Sequence, residues 1–175
     1  MIFEKMLRAF FRRRRQSVKK SYNRVLPFGE YVSDRWEKAA FLNFGPNSSI
    51  YDSALVYGAV EVGHDVWIGP FTILDGSGGL LRIGDNCHIS AGVQIYTHDT
   101  VERVRRAGEI TTAPVTIGNR CYIGPNCIIA KGVTVGDNVV IGANSFVNKD
   151  IPANVKGFGT PFRIAAQASP PASGM

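Results

Sequence analysis

The feature that most constrains this chain is an apolar residue that recurs every six positions from Ile50 onward. A second small or apolar residue follows each one four positions later, and Gly, Asp, Asn and Pro, which tolerate turn geometry, fill the positions between. Because four and six are even steps, both residues point to the same side of an extended chain. The first residue of each repeat is Ile50, Val56, Val62, Ile68, Leu74, Ile83, Ile89, Ile95, Ile117, Ile123, Ile129, Val135, Ile141 or Val147.

This six-residue period predicts short strands joined by corners, and therefore a coil. Hexapeptide repeats are typical of a parallel β-helix, in which successive coils stack and bury one continuous apolar column. One coil alone could not bury its apolar face, so the repeats stabilise one another only as a stack. We therefore expect an all-β fold, a parallel β-helix of hexapeptide repeats over residues 50–152, with an N-terminal α-helical arm.

The first 24 residues form a basic arm with nine Lys and Arg side chains and one acid, Glu4, whereas the rest of the chain has 11 basic and 13 acidic residues. In "MIFEKMLRAFFRRRRQSVKK" the apolar residues recur at spacings of three and four, which predicts an amphipathic helix. The arm could lie on an anionic membrane surface or pack on its own oligomer. Nucleic acid is not expected as a partner, because the basic run shows no interleaving of aromatic residues and no recognised reading motif lies beside it.

Residues 25–49 are interpreted as a helical lead-in. "SDRWEKAAFLNFG" predicts a short helix capped by Ser33 or Asp34 and stopped by Gly45. After the repeats, residues 153–167 form a tail segment, and residues 168–175, rich in Pro, Ser and Ala, are expected to be disordered.

The composition favours a cytoplasmic protein, with peripheral contact at the inner membrane face as an option. No run approaches the roughly 20 apolar residues of a membrane span, and no signal-peptide pattern opens the sequence. Cys87, Cys121 and Cys127 show no CxxC spacing and occupy the second apolar position of their repeats. They are therefore interpreted as inert core fillers in a reducing compartment.

The repeats break at "IYTHDT", and Ile95 and Ile117 lie 22 residues apart where a coil of 18 is expected. An excursion from about Thr97 to Thr112 follows, and loops on a rigid scaffold commonly carry functional groups. His98 is a candidate general base for an attacking hydroxyl. Asp99 follows His98 directly, and in an extended segment its side chain points away from that of His98. Glu109 or a backbone carbonyl could orient the imidazole, and the sequence does not choose between them.

The segment "PVTIGNRCYIGPNCIIAKGVTVGDNVVIGANSFVNKDIPANVKGFGTPFR" resembles the hexapeptide-repeat acyltransferases, in the branch of galactoside, maltose and xenobiotic acetyltransferases. The resemblance implies a left-handed β-helix, a homotrimer with active sites between subunits, and transfer of an acetyl group from acetyl-CoA. It implies His98 as the catalytic residue, which the "IYTHDT" context matches.

The same resemblance implies a site for acetyl-CoA near the end of the repeats and the following tail. Ala143 would offer its backbone to the pantetheine arm, Asn148 and Lys149 would border the channel, and Arg163 would meet the nucleotide phosphates. Pro125 and Ala166 depart from the family pattern, which implies either fewer phosphate contacts or phosphate contacts supplied by the N-terminal arm. Asp75 is a candidate for holding an acceptor hydroxyl.

These features favour an acetyl-CoA-dependent O-acetyltransferase that acts on a saccharide or glycan precursor, with no metal. An N-acetyltransferase of an amino sugar or a xenobiotic acetyltransferase is the alternative. A metal protein of the γ-carbonic anhydrase type would need three histidines around one zinc. His64, His88 and His98 are separated by 24 and 10 residues and do not share one register. A noncatalytic scaffold is the last alternative.

Overall fold

The computed structural model describes residues 2–168 of the chain. Four helices and sixteen strands lie in this part. The helices are α1 (Ile2–Tyr22), α2 (Gly29–Val32), α3 (Arg35–Phe41) and α4 (Val101–Arg106). The strands are β1 (Ser49–Ile50), β2 (Leu55–Val62), β3 (Trp67–Ile68), β4 (Ile73–Ile83), β5 (His88–Ile89), β6 (Gln94–Tyr96), β7 (His98–Asp99), β8 (Thr111–Thr112), β9 (Val115–Ile117), β10 (Tyr122–Ile123), β11 (Ile128–Ile129), β12 (Thr134–Val135), β13 (Val140–Ile141), β14 (Phe146–Val147), β15 (Val155–Phe158) and β16 (Arg163–Gln167).

The strands form parallel ladders around a coil with three faces. The first face contains β1, β3, β5, β10, β13 and β15. The second contains the first halves of β2 and β4, followed by β6, β11 and β14. The third contains the second halves of β2 and β4, followed by β9 and β12. The predicted parallel β-helix of hexapeptide repeats is therefore present, and the long strands β2 and β4 bend from one face to the next.

The pairing register measures the length of each coil. Tyr122 pairs with Val140, 18 positions later. Trp67 pairs with His88, 21 positions later, because three extra residues lie within β4. Ile95 pairs with Ile129, 34 positions later, so the excursion adds 16 residues to an 18-residue coil. Ile117 therefore lies one face beyond Ile95, and the expectation that it marks one full turn was wrong.

The core is the column of apolar side chains that the six-residue period predicts. Ile50, Ile68, Leu74, Ile89 and Ile123 are completely buried. Burial of one such side chain contributes about 1.5–3 kcal/mol, so the stack gains stability with every coil. Among the predicted core positions, Val56 and Val60 are only partly buried, where β2 bends between faces.

The corners of the coil use asparagine in the left-handed conformation. Asn126, Asn138 and Asn144 have φ angles of 57°, 55° and 57°. Asparagine is one of the few side chains that adopts this region readily, which explains the recurring "GPN", "GDN" and "GAN" segments.

The three cysteines are buried and free. Each thiol donates to a carbonyl oxygen in the next coil: Cys87 to Gly118 (3.1 Å), Cys121 to Gly136 (3.1 Å) and Cys127 to Gly142 (3.0 Å). Contact with the Cys121 side chain, together with burial, raises the pKa of the Cys87 thiol. The interpretation as core fillers agrees with these positions.

Helix α3 closes the first end of the coil. Asp34 is its N-cap, and its carboxylate accepts from the backbone N–H groups of Trp36 and Glu37 at 3.0 and 2.9 Å. The Lys38 ammonium donates to the carbonyls of Tyr51, Asp52 and Ala54 on the adjacent coil. Burial lowers the pKa of Lys38 despite two nearby carboxylates.

The sequence expectation for the end of α3 was wrong. The helix ends at Phe41, and Asn43 turns the chain with a φ angle of 56°. Gly45 instead lies against the next coil, where an added Cβ would come within 2.5 Å of the Gly63 carbonyl carbon. This glycine is therefore needed for stacking and not for stopping the helix.

The last coil is followed by a strand that turns back. β16 pairs antiparallel with β15, and the Ala168 N–H donates to the Asn154 carbonyl at 2.8 Å. The expected disorder concerns residues 168–175, of which 169–175 lie outside the described residues.

Candidate active site

The excursion is an antiparallel hairpin that carries a short helix at its tip. β7 pairs with β8, His98 lies opposite Thr112, and α4 occupies the turn between them. The hairpin, from His98 to Thr112, lies within the excursion predicted from about Thr97 to Thr112. Sequence reasoning expected a loop and did not predict the hairpin or α4.

His98 lies at the base of the hairpin with one ring nitrogen turned inward. Its Nδ1 atom is 3.4 Å from Oδ2 of Asp75, and the side chains are 30% and 9% exposed. Among the described residues, this Nδ1 is a buried polar atom with no well-aligned hydrogen bond. The contact is therefore a close approach between Nδ1 and the carboxylate, and it favours the tautomer that carries its proton on Nδ1. Because Nδ1 is buried, the exposed part of the side chain lies on its other atoms.

Asp75 reaches His98 because β4 contains an insertion. The segment "DGSGG" adds three residues to the coil and shifts the β2–β4 register between Gly58 and Val60. The Ser77 N–H donates to Oδ1 of Asp75 at 2.9 Å, which leaves Oδ2 facing the imidazole. The sequence placed Asp75 near an acceptor hydroxyl and considered Glu109 for orienting His98. The one sequence signal for the contact between Asp75 and His98 is the run of glycines that follows Asp75.

Gly78 provides the space for this arrangement. An added Cβ would lie 2.6 Å from both the His98 Cβ and the Thr97 carbonyl oxygen. The backbone of the insertion therefore packs directly against the histidine, and a side chain at position 78 would displace it.

Thr97 holds the insertion and the excursion together. This residue is completely buried. Its hydroxyl donates to the Asp75 carbonyl at 2.8 Å and accepts from the Gly78 N–H at 2.9 Å. No pattern in the sequence indicates this role, because Thr97 stands where the six-residue period stops.

Asp99 is engaged away from His98, as the sequence predicted. Its carboxylate accepts from the Val101 N–H and the Thr111 hydroxyl at 3.0 Å each, and it pairs with Lys131 at 3.0 Å. The Val101 N–H, followed by Lys131 and Thr111, lowers the pKa of Asp99. Asp99 therefore fixes the hairpin to the coil. Glu109 lies in an exposed stretch after α4.

Two tyrosines flank the buried carboxylate in the neighbouring strands. Tyr57 and Tyr96 lie on either side of Asp75 in the register of the second face. Tyr57 is 48% exposed, and the Tyr96 hydroxyl donates to Oε1 of Gln94 at 2.8 Å. Burial, and then the charge of Asp75, raises the pKa of Tyr96. Sequence reasoning did not select either tyrosine.

Three of the four predicted cofactor residues line one cavity. Asn148, Lys149 and Arg163 line a space of about 260 Å³ together with Asp150, Phe162 and Ile164. Ala143 lies at the preceding corner, outside this lining, with its backbone N stacked over Gly124. The structure therefore groups Asn148, Lys149 and Arg163 and leaves Ala143 apart from them.

The cavity and His98 lie along the same corner of the coil. Ile95, Ile129 and Val147 are neighbours in successive coils. Continuing this register two residues places Lys131 between Thr97 and Lys149. Since neighbouring strands lie about 4.8 Å apart, the base of the hairpin and Lys149 are separated by about 10 Å.

The other two histidines lie elsewhere. His64 contacts Oδ2 of Asp65 at 2.6 Å and Oδ2 of Asp85 at 3.1 Å at an exposed corner. His88 stacks between Trp67 and Tyr122 on the outside of the first face. Within residues 2–168, no three His, Cys, Asp or Glu side chains converge as a metal site.

Two family models match the repeats. "Bacterial transferase hexapeptide (six repeats)" matches residues 114–149, and "Hexapeptide repeat of succinyl-transferase" matches residues 82–97. The galactoside O-acetyltransferase of Escherichia coli is 35% identical over 86 residues, which are 48% of this chain and 42% of that protein. The chain thus spans about half the length, or less, of this relative.

Solved structures resemble a larger part of the chain. A maltose O-acetyltransferase of Clostridium difficile is 28% identical, with a TM-score of 0.56, and the match covers 94% of this chain and 89% of that one. A hexapeptide-repeat acetyltransferase of Vibrio cholerae, in complex with acetyl coenzyme A, is 25% identical with a TM-score of 0.55. That match covers 95% of this chain and 89% of the Vibrio chain.

Proposed function

This chain belongs to the hexapeptide-repeat acetyltransferase family, and on that premise we propose that it transfers an acetyl group from acetyl-CoA to a hydroxyl of a saccharide or glycan precursor. The observation that carries the proposal is the pair formed by His98 and buried Asp75, on the same corner of the coil as a cavity with two cationic side chains. A base and an anion site in this order suit a donor that has a thioester at one end and phosphates at the other.

The residues around the cavity fit acetyl-CoA as the acyl donor. Lys149 and Arg163 supply positive charge for phosphates, and Arg163 can bind a phosphate with two parallel hydrogen bonds. Phe162 and Ile164 add apolar surface, and Asn148 adds an amide. Acetyl-CoA, when bound, supplies an activated acetyl group as a thioester.

His98 acts as the general base in the proposed transfer. In the tautomer that carries its proton on Nδ1, beside Asp75, Nε2 is left to accept the proton of the acceptor hydroxyl as its oxygen attacks the acetyl carbon. The new C–O bond forms, the C–S bond breaks, and His98 returns the proton to the leaving thiolate. Asp75 stabilises the imidazolium that exists between these two events.

The proposal includes a homotrimer of left-handed β-helices, as the family resemblance implies. The outward side chains of the first face include Trp67, Tyr122 and Val140, and those of the second include Leu55, Ile128 and Phe146. The third face instead presents Glu61, Arg82, Thr116 and Thr134. Two apolar faces and one polar face suit a prism that meets one neighbour on each side of a closed ring.

A site between subunits also agrees with the size of the cavity. Its volume of about 260 Å³ is below the range of roughly 300–1,000 Å³ that is common for small-molecule sites. A neighbouring subunit would complete its walls.

A saccharide fits the surroundings of the base. Tyr57 and Tyr96, with Gln94 bonded to the Tyr96 hydroxyl, form a mixed aromatic and polar surface on the strands that flank Asp75. Sugar rings combine apolar faces with hydroxyl edges, so this surface offers contacts to both. We propose Asp75 chiefly as the partner of His98, and its earlier assignment to an acceptor hydroxyl remains a prediction.

The direct test is incubation of the purified chain with acetyl-CoA and a panel of free sugars, nucleotide-linked sugars and amino sugars, with product masses as the readout. We expect a mass increase of one acetyl group on a sugar hydroxyl, lost in His98→Ala. Acetylation only of amines would favour the N-acetyltransferase alternative. Failure to bind CoA would favour a noncatalytic scaffold and contradict the proposal.

A further inference from the structure

Helix α1 is attached to the rest of the chain through its second half. The Phe11 ring lies 5.4 Å from those of Phe28 and Tyr31, measured between ring centroids. The Arg14 guanidinium donates to the Tyr31 carbonyl at 3.1 Å. Arg15 lies over the Phe11 ring at 4.2 Å. These contacts fix the helix where the lead-in begins.

The first half of α1 leaves a row of large apolar side chains in solvent. Ile2 and Phe3 are 78% and 77% exposed, and Met6 and Leu7 are 66% and 41% exposed. They follow one another at helical spacings and continue toward Phe10, which is half-buried. An apolar row of this size on a helix marks an interaction surface.

The helix that carries this apolar row also carries exposed positive charge. Arg12, Arg13, Lys19 and Lys20 are exposed. The single acid of the helix, Glu4, is paired with Arg8 at 2.6 Å, and so it adds no free negative charge to the surface. The remainder of the chain has more acidic than basic residues. The net excess of positive charge in this chain therefore lies in α1.

We propose that α1 binds the surface of a lipid bilayer that contains anionic headgroups. The apolar row, formed by Ile2, Phe3, Met6 and Leu7, enters the boundary between headgroups and acyl chains. The exposed Lys and Arg side chains of α1 contact the anionic headgroups. This arrangement is typical of interfacial amphipathic helices. No described helix is long and apolar enough to cross a bilayer.

Charge complementarity favours an anionic bilayer over a second copy of α1, and the apolar row favours it over nucleic acid. A second copy of α1 would bring one basic surface against another, and like charges at an interface oppose association. Duplex nucleic acid would match the charge, but it offers no apolar phase for four exposed aliphatic and aromatic side chains. An anionic bilayer satisfies both parts of the surface.

The test is sedimentation of the full chain with vesicles of phosphatidylcholine alone and of phosphatidylcholine with phosphatidylglycerol at about a quarter of the lipid. We expect binding to the anionic vesicles and loss of binding in about 0.5 M salt, where the Debye length is short. Arg12→Gln/Arg13→Gln should lower the partition coefficient about thirtyfold. Phe3→Gln/Met6→Gln should lower it at least as much.

The matched control is Arg120→Gln/Lys156→Gln, which removes the same charge from exposed positions on the coil. It should bind vesicles as the parent does. Equal binding to neutral and anionic vesicles, or no binding to either, would overturn the proposal. So would a fall in molecular mass by light scattering in Phe3→Gln/Met6→Gln, which would assign the row to a second copy. Binding to a duplex DNA fragment without binding to vesicles would overturn it in favour of nucleic acid.

Discussion

The Nδ1 atom of His98 lies 3.4 Å from a carboxylate oxygen of Asp75, a residue that is only 6% exposed. The two residues come from different coils, and they meet because an insertion in β4 and the excursion after β6 leave the coil at the same corner. The proposed activity depends on this pair.

Replacing either member of the pair should impair acetyl transfer. His98→Ala removes the base and should lower kcat by about 10²–10⁴-fold. Asp75→Asn keeps the shape but loses the charge opposite Nδ1, and should lower kcat by at least about tenfold. Steady-state rates with an identified acceptor provide the measurement.

Asp99→Asn is the matched control for Asp75→Asn, because it neutralises a carboxylate next to His98 in sequence that is engaged by Lys131 and Thr111. It should affect kcat less than Asp75→Asn does. An equal or larger effect would identify Asp99 as the partner of the base and contradict the role assigned to Asp75.

The cationic cavity should determine affinity for the acyl donor. Lys149→Gln and Arg163→Gln each remove one charged contact with phosphate, and each should raise KM for acetyl-CoA about tenfold while changing kcat little. Lys156→Gln, an exposed lysine on β15, is the control and should leave KM unchanged. Unaltered KM in both cavity variants would mean that the donor binds elsewhere.

Gly78→Ala should displace His98 without replacing any of the proposed catalytic groups. The added methyl group would lie 2.6 Å from the His98 Cβ, so the insertion or the hairpin must move. We expect a loss of about 1–3 kcal/mol in unfolding free energy together with reduced kcat. Gly108→Ala is the control, because its Cβ would come no closer than 3.4 Å to a neighbouring atom. Parent-like stability and rate in Gly78→Ala would show that the packing is loose.

The three thiols should be unreactive in the folded protein. Their exposures are 2% for Cys87, 2% for Cys121 and 0% for Cys127, so a reagent in solution does not reach them. Burial raises the pKa of Cys127, whereas the contact with Cys87 lowers the pKa of Cys121. A chromogenic disulfide reagent should label all three only in denaturant, since the thiolate is the reactive form. Rapid labelling of any one under native conditions would contradict the core assignment.

His64 should make stability depend on pH. The hydrogen bond to Asp65, with further help from the charge of Asp85, raises the pKa of His64 above its ordinary value of 6.5. A raised folded-state pKa contributes stability that is fully present below 6.5 and lost as pH rises through the folded value. The Tm of the parent should therefore exceed that of His64→Gln more at pH 5 than at pH 8. Parallel Tm curves would show that the contacts contribute nothing.

The sequence predicted the repeating part of this molecule well, because a six-residue period leaves few ways to bury Ile89, Ile123 and Ile141. His98 and the excursion were singled out for the same reason, since both are breaks in a regular pattern, and the catalytic role of His98 stays a prediction. It did not predict that Asp75 faces His98, because that contact joins two irregular segments. Glycines and polar residues at an insertion carry no periodic signal, and Thr97 and Gly78 acquire their roles only through stacking.

The shared corner of the coil also determines the distance between the hairpin and the Lys149 cavity. Because the base of the hairpin and Lys149 lie two turns apart on the same corner of a stacked coil, the distance between them is about two strand spacings of about 4.8 Å each. Inserting or deleting one 18-residue coil between β6 and β14 would change this distance by one strand spacing and leave the local geometry at both ends intact. The distance between the proposed base and the cationic cavity therefore changes only in whole steps. A longer or shorter donor would require a different number of turns between them, with the same residues at each end.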